Sequence, residues 1–107
     1  MAIKTSNRDS ARYVTQCLNF KANNLHGEWS GNVYAVYSYG WYPVYVYSAG
    51  QWFKNENRYS PSTAKQMTQC GWGISSEAIP VSTDHLKQII APEFYGKVNN
   101  VAKIMFN

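Results

Sequence analysis

The chain has 107 residues, 45% hydrophobic and 15% charged, which suits one globular domain with a modest core and argues against a disordered chain. Lysine plus arginine number 10 against 6 for aspartate plus glutamate, a net charge of +4 that favours anionic partners without specifying one. The polar start argues against a secretory leader, and no apolar run approaches the roughly 18 residues of a membrane span, so a cytoplasmic protein without membrane contact is expected.

From the N-terminus, the first element reads as a helix. Ser6 caps it with Asp9 three residues on, a weak capping box. Ala11, Val14, Cys17 and Leu18 recur at helical spacing as a buried face, with Arg8, Arg12 and Gln16 opposite. Residues 21–31 are rich in Asn and Gly and read as a loop, pinned to the core by Phe20, Leu25 and Trp29. Residues 33–39 give the clearest strand. Val33, Ala35, Tyr37 and Tyr39 point one way and Tyr34, Val36 and Ser38 the other. Apolar atoms on both faces suggest a central strand, or one whose second face meets a partner. Gly40 to Pro43 turns the chain into a second strand at 44–47. Ser48-Ala49-Gly50 turns it again into a third at 51–54, an exposed edge through which two copies pair into a homodimer if the edge stays open. Ser60 and Pro61 open a helix with Ala64, Met67 and Cys70 facing inward, ended by Gly71. After Trp72 and Gly73 a short extended piece runs near 78–81. Ser82 then caps a helix with Asp84 in its first turn, Leu86, Ile89 and Ile90 as its apolar face, and Pro92 as its limit. The tail from 97 to 107 fits either a helix (Val98, Val101, Met105) or a strand (Ala102, Ile104, Phe106). The fold class is α+β: a small antiparallel meander of about three to five strands packed against two or three helices.

The supply of catalytic groups is thin. His26 and His85 have no histidine at helical spacing, and Cys17, Cys70, His26 and His85 match no common zinc pattern. Two reduced, mostly buried thiols are expected rather than a disulfide. Cys70 falls at a helix C-terminus, where a thiolate is not favoured. No phosphate loop, dinucleotide motif or nucleophile elbow is present, so no cofactor or metal is expected. A small enzyme using Cys70 or His85 stands only as a remote alternative.

Binding is better supported. Aromatic residues make up 16% of the chain. Tyr and Trp combine large contact area, low entropy cost and a polar tip, and serve as anchors in interfaces. The candidate contact residues are Tyr37, Tyr39, Trp41, Tyr45, Tyr47 and Trp52, with Lys54, Arg58 and Lys65 following in sequence. Against this stands the ordinary role of a sheet strand: alternation places about half of such rings in the core, and the rest can form cross-strand ladders.

Val36-Tyr37-Ser38-Tyr39-Gly40, then Pro43 and Tyr45, then Trp52, Asn55, Tyr59-Ser60, Ser62-Thr63 and Gln69 resemble a small domain found in proteins of phages, prophages and plasmids. The resemblance spans about residues 20–70 of a single domain over 1–107, with 71–107 as an extension packed on it. It implies a mobile-element origin in a bacterial host, with no established activity and no catalytic residue to carry over. Such domains often have a histidine after the Ser-Thr pair, where this chain has Lys65-Gln66. Together the residues and the resemblance lead to the expectation of a non-catalytic accessory protein. It would bind and block a host or defence macromolecule, in the manner of anti-restriction or anti-CRISPR inhibitors. The alternative is a single-stranded nucleic-acid binder using a basic, Tyr/Trp-rich sheet face.

Overall fold

The structure is a computed structural model describing residues 3–57, 61–71, 74 and 76–91. Arg58, the Ser60 cap, Trp72, Gly73, Pro92 and the 97–107 tail lie outside the described residues, as does the side chain of Ala64. In chain order the elements are β1 (Ile3–Lys4), α1 (Ala11–Val14), β2 (Phe20–Lys21), β3 (Leu25–Ser30), β4 (Val33–Ser38), β5 (Tyr42–Ser48), β6 (Gln51–Asn55), α2 (Pro61–Cys70), β7 (Ile79–Val81) and α3 (Thr83–Ile90). The fold is α+β, with all seven strands in one sheet whose spatial order follows the chain order.

Strands β2 to β6 form the antiparallel meander, while β1–β2 and β6–β7 pair in parallel. A parallel pair needs a crossover, and crossovers are almost always right-handed. The pairing directions make β1 and β6 run the same way, and both crossovers step the same way along the sheet. The rule therefore sends α1 and α2 to one face, where they touch. Helix α3 follows β7 and packs on β5, β4 and β6.

The alternation in β4 assigns its side chains to the two layers. Tyr34 and Val36 join Val14, Phe20, Leu25, Val44, Tyr45, Trp52 and Cys70 in the larger core. Val33 and Ala35 join Val46, Val81 and Leu86 in a second core beneath α3. A bulge in the β4–β5 ladder between Val36 and Tyr37 inserts Val44 as an extra residue, which lets Val44 and Tyr45 both enter the larger core.

Several expectations change. The segment 21–31 is largely strand, because its glycine is a packing device. A Cβ on Gly27 would collide with the Tyr34 hydroxyl and lie 2.5 Å from Phe20 Cε1, so only glycine lets those rings cross the strand. The first helix is a single turn. Ser6 Oγ does accept from the Asp9 N–H at 3.2 Å, but Cys17 at φ 52° ends the helix early. Leu18 N–H bonds to Tyr13 O and Cys17 N–H to Val14 O, a Schellman closure with cysteine where glycine usually sits. Leu18 is consequently exposed rather than buried. Strand β6 is not an edge, since β7 pairs along it, so the homodimer expected through 51–54 has no free strand there. At α3, Ser82 Oγ accepts from the His85 N–H at 3.2 Å, as expected of the cap. Leu86 is buried beneath the helix, and Ile89 and Ile90 pack beside it.

Candidate binding site at the aromatic turn

Most rings of the aromatic stretch are structural. Trp52 sits in the larger core, edge-on to Tyr34 at 6.2 Å and to Tyr45 at 6.5 Å, with the Tyr47 ring 5.1 Å away. Tyr45 runs beneath α2 and donates its hydroxyl to Met67 O at 3.2 Å. Buried rings cannot stack on a partner, which removes Tyr45 and Trp52 from any external grip. Tyr47 is half-buried against Trp52. Tyr37 points to the α3 side and is half-buried, stacked on His26 with centroids 4.9 Å apart and planes 18° from parallel. Burial first, and then the Glu28 carboxylate, raise its phenol above the usual tyrosine range. Lys54 is half-buried and stands opposite Tyr45 in the ladder.

Tyr39 and Trp41 differ. They flank Gly40 in the β4–β5 hairpin and are 39% and 53% exposed. Trp41 N–H closes the turn on Ser38 O at 3.3 Å. Tyr39 and Gly40 have φ of 56° and 82°, the two positive values of a type I′ turn. That turn favours Asn-Gly, whereas here a bulky ring occupies the left-handed position. The β5–β6 hairpin repeats the device with Ala49 at φ 51° and Gly50 at φ 79°.

The turn is braced by segments far away in sequence. Tyr39 N–H donates to Asn24 O at 2.8 Å, in the connection between β2 and β3. Asn24 N–H donates to Asn7 Oδ1 at 3.3 Å, in the segment before α1. Behind the turn, the buried Ser38 hydroxyl donates to Gln66 Oε1 on α2. Helical spacing sets Lys65 and Gln69 on one side of α2 with Gln66 beside them. Together Asn7, Asn24, Tyr39, Lys65, Gln66 and Gln69 line a cleft of about 260 Å³. Among the expected contact residues the fold therefore unites Tyr39 and Lys65, with Trp41 next along the turn.

Cys17 and Cys70 are free thiols. Burial pushes Cys70 up to about 12, which keeps it protonated and unreactive at neutral pH. Among the described residues no group of three or more His, Cys, Asp or Glu could hold a metal ion, so the four zinc-type residues do not converge. No helix among them is long and apolar enough to cross a membrane.

A third exposed ring escaped the sequence reading. Trp29 was expected to pin a loop to the core, yet it is 44% exposed near the far end of β3. Its Nε1 donates to Cys17 O at 2.7 Å, which fixes the ring against the α1 closure. No family model, no curated protein and no solved structure matches the chain.

Proposed function

We propose that the protein works without catalysis, by binding a macromolecular target through the Tyr39–Trp41 turn and blocking it. The observation that carries this reading is the turn itself. Two large rings are held out to solvent, and one of them, Tyr39, stands on backbone that Asn or Gly would adopt at lower cost. Left-handed backbone recurs at Ala49 without a ring, so what supports a grip is its pairing here with exposed Tyr and Trp, the residues that anchor interfaces. The target as a host or defence factor, and the mobile-element setting, rest on the resemblance of the 36–40 stretch and its companions to phage and plasmid domains.

The test is photocrosslinking in the bacterial host, with a photoreactive residue placed at position 41 and, as control, at position 29. The expected outcome is a discrete adduct from position 41 that disappears in the Tyr39→Asn background. Adducts from position 29 alone would move the grip to the other end of the sheet.

A second reading keeps single-stranded nucleic acid as the target, supported by Lys65 beside two rings on which bases can stack. It predicts Trp fluorescence quenching by oligothymidylate that weakens steeply with salt and is lost in Trp41→Ser.

A further inference from the structure

We infer that the cleft beside Tyr39 receives a side-chain carboxylate from an acidic stretch of a partner polypeptide, an inference that rests on the turn being the grip. Among the described residues the lining is one ammonium, four carboxamides and one phenol, with no carboxylate. Two of the carboxamides have their acceptor oxygens engaged by the protein. Asn7 Oδ1 takes the Asn24 N–H. Gln66 Oε1 takes the Ser38 hydroxyl, which fixes the plane of an amide that is only 4% exposed. Each of these oxygens has one of its two lone pairs taken by the protein, which weakens the acceptor side of both amides relative to their NH₂ donors. Lys65, exposed on α2, makes no ion pair among the described residues and adds a positive charge to the rim. A concave set of donors with one cation selects an anion.

Size and charge then narrow the anion. Pockets for whole small molecules run from about 300 Å³ upward. The cleft, at about 260 Å³, lies near the foot of that range and has room for a carboxylate side chain. Nucleic acid is gripped by several cations that follow its backbone, whereas among the described residues this cleft offers Lys65 alone. One lysine among amide donors matches one Asp or Glu. Tyr39 and the neighbouring Trp41 would then cover the apolar residue next to it, the arrangement in which aromatic anchors exclude water from a charged contact.

The experiment is selection of short random peptides displayed on phage against the purified full chain. It is followed by Trp fluorescence titration of the enriched peptides, and of oligothymidylate, on wild type, Lys65→Glu and Tyr39→Asn. Both substituted positions are exposed, and circular dichroism checks that each variant folds. The expected result is enrichment of Asp or Glu beside an aromatic or aliphatic residue, with binding weakened at least about tenfold by Lys65→Glu and also weakened by Tyr39→Asn. Enriched peptides that lack an acidic residue, or that ignore Lys65→Glu while still requiring Tyr39, overturn the carboxylate and leave the turn as the grip. Lys65-dependent binding of oligothymidylate with no peptide enriched overturns it in favour of nucleic acid. Peptides that bind equally well to Tyr39→Asn overturn both the carboxylate and the turn.

Discussion

At the scale of single residues, Tyr39 sets stability against binding. A left-handed backbone costs an ordinary L-residue about 1–2 kcal/mol, a cost that Asn largely escapes. The ring belongs to neither core cluster, so its removal opens no core cavity. The Tyr39→Asn variant should therefore be more stable by about 1 kcal/mol, visible as a melting temperature a few degrees higher, while losing the crosslink from position 41. A variant that melts lower would show that the ring contributes more to the fold than to the grip. Cys17 makes the matching case without a site attached. It takes the left-handed position of a Schellman closure at φ 52°, so Cys17→Gly should raise stability by up to about 1 kcal/mol in a denaturant melt. Gly27 is the opposite, since its missing Cβ is the space that Phe20 and Tyr34 occupy. Gly27→Ala should cost about 1–3 kcal/mol or more through overpacking.

At the scale of elements, the local signals were legible and the long-range ones were not. Residues 33–39 announced a central strand because both of its faces are apolar, and the structure places 33–38 between β3 and β5, with Tyr39 already in the turn. Ser82 marked a helix start because capping is chemistry between near neighbours in sequence; Gly71 does follow the end of α2, but without a positive φ, and its missing Cβ leaves room for the Tyr45 ring. Residues 21–31 misled because Asn and Gly signal turns by composition, whereas Gly27 answers to two rings it meets only in the folded sheet. The site followed the same division. Tyr39, Trp41 and Lys65 were visible as residue types, but Asn7, Asn24, Gln66 and Gln69 are ordinary polar residues until four separate segments meet. Asn55 shows the limit well, for the third strand read as stopping just before it, yet it is a buried junction. Its Nδ2 donates to Pro43 O at 2.8 Å and Thr83 Oγ1 at 2.9 Å, and its Oδ1 accepts the Asn57 N–H at 2.8 Å, tying β5, β6 and α3 together. Helix α2 brings a further dependence through Cys70. The folded thiol holds its proton up to about 12, against an ordinary 9.0, because burial penalises the thiolate. Above about pH 9 the unfolded chain binds fewer protons than the folded one, so stability falls as pH rises, by up to about 1.4 kcal/mol per unit from this group. Urea melts across that range should show the decline, and Cys70→Ala should flatten its first part. The Tyr34 phenol, raised chiefly by burial, extends the decline beyond the ordinary tyrosine range.

At the scale of the whole molecule, a sheet that is not closed into a barrel must protect its outer strands. Among the described residues these are β1 and β7, and each carries an exposed isoleucine, Ile3 and Ile79. Pairing between copies would use those strands, because β6 already has a neighbour on both sides. Both outer strands are blunted in the usual ways. β1 has two residues and includes Lys4, and β7 has three and includes Pro80, which has no N–H to offer a new neighbour. The turn proposed as the grip lies in the β4–β5 hairpin, away from both edges, so the proposed binding needs no second copy. Sedimentation at tens of micromolar should therefore find a monomer. Pro80→Thr restores a donor and a β-favouring side chain beside exposed Ile79, and should shift the protein toward dimers or heat-induced aggregates while leaving the position 41 crosslink intact. A wild-type dimer would mean that shortness and proline do not protect these edges. A Pro80→Thr variant that stays monomeric through heating would place the protection in strand length rather than in the missing N–H.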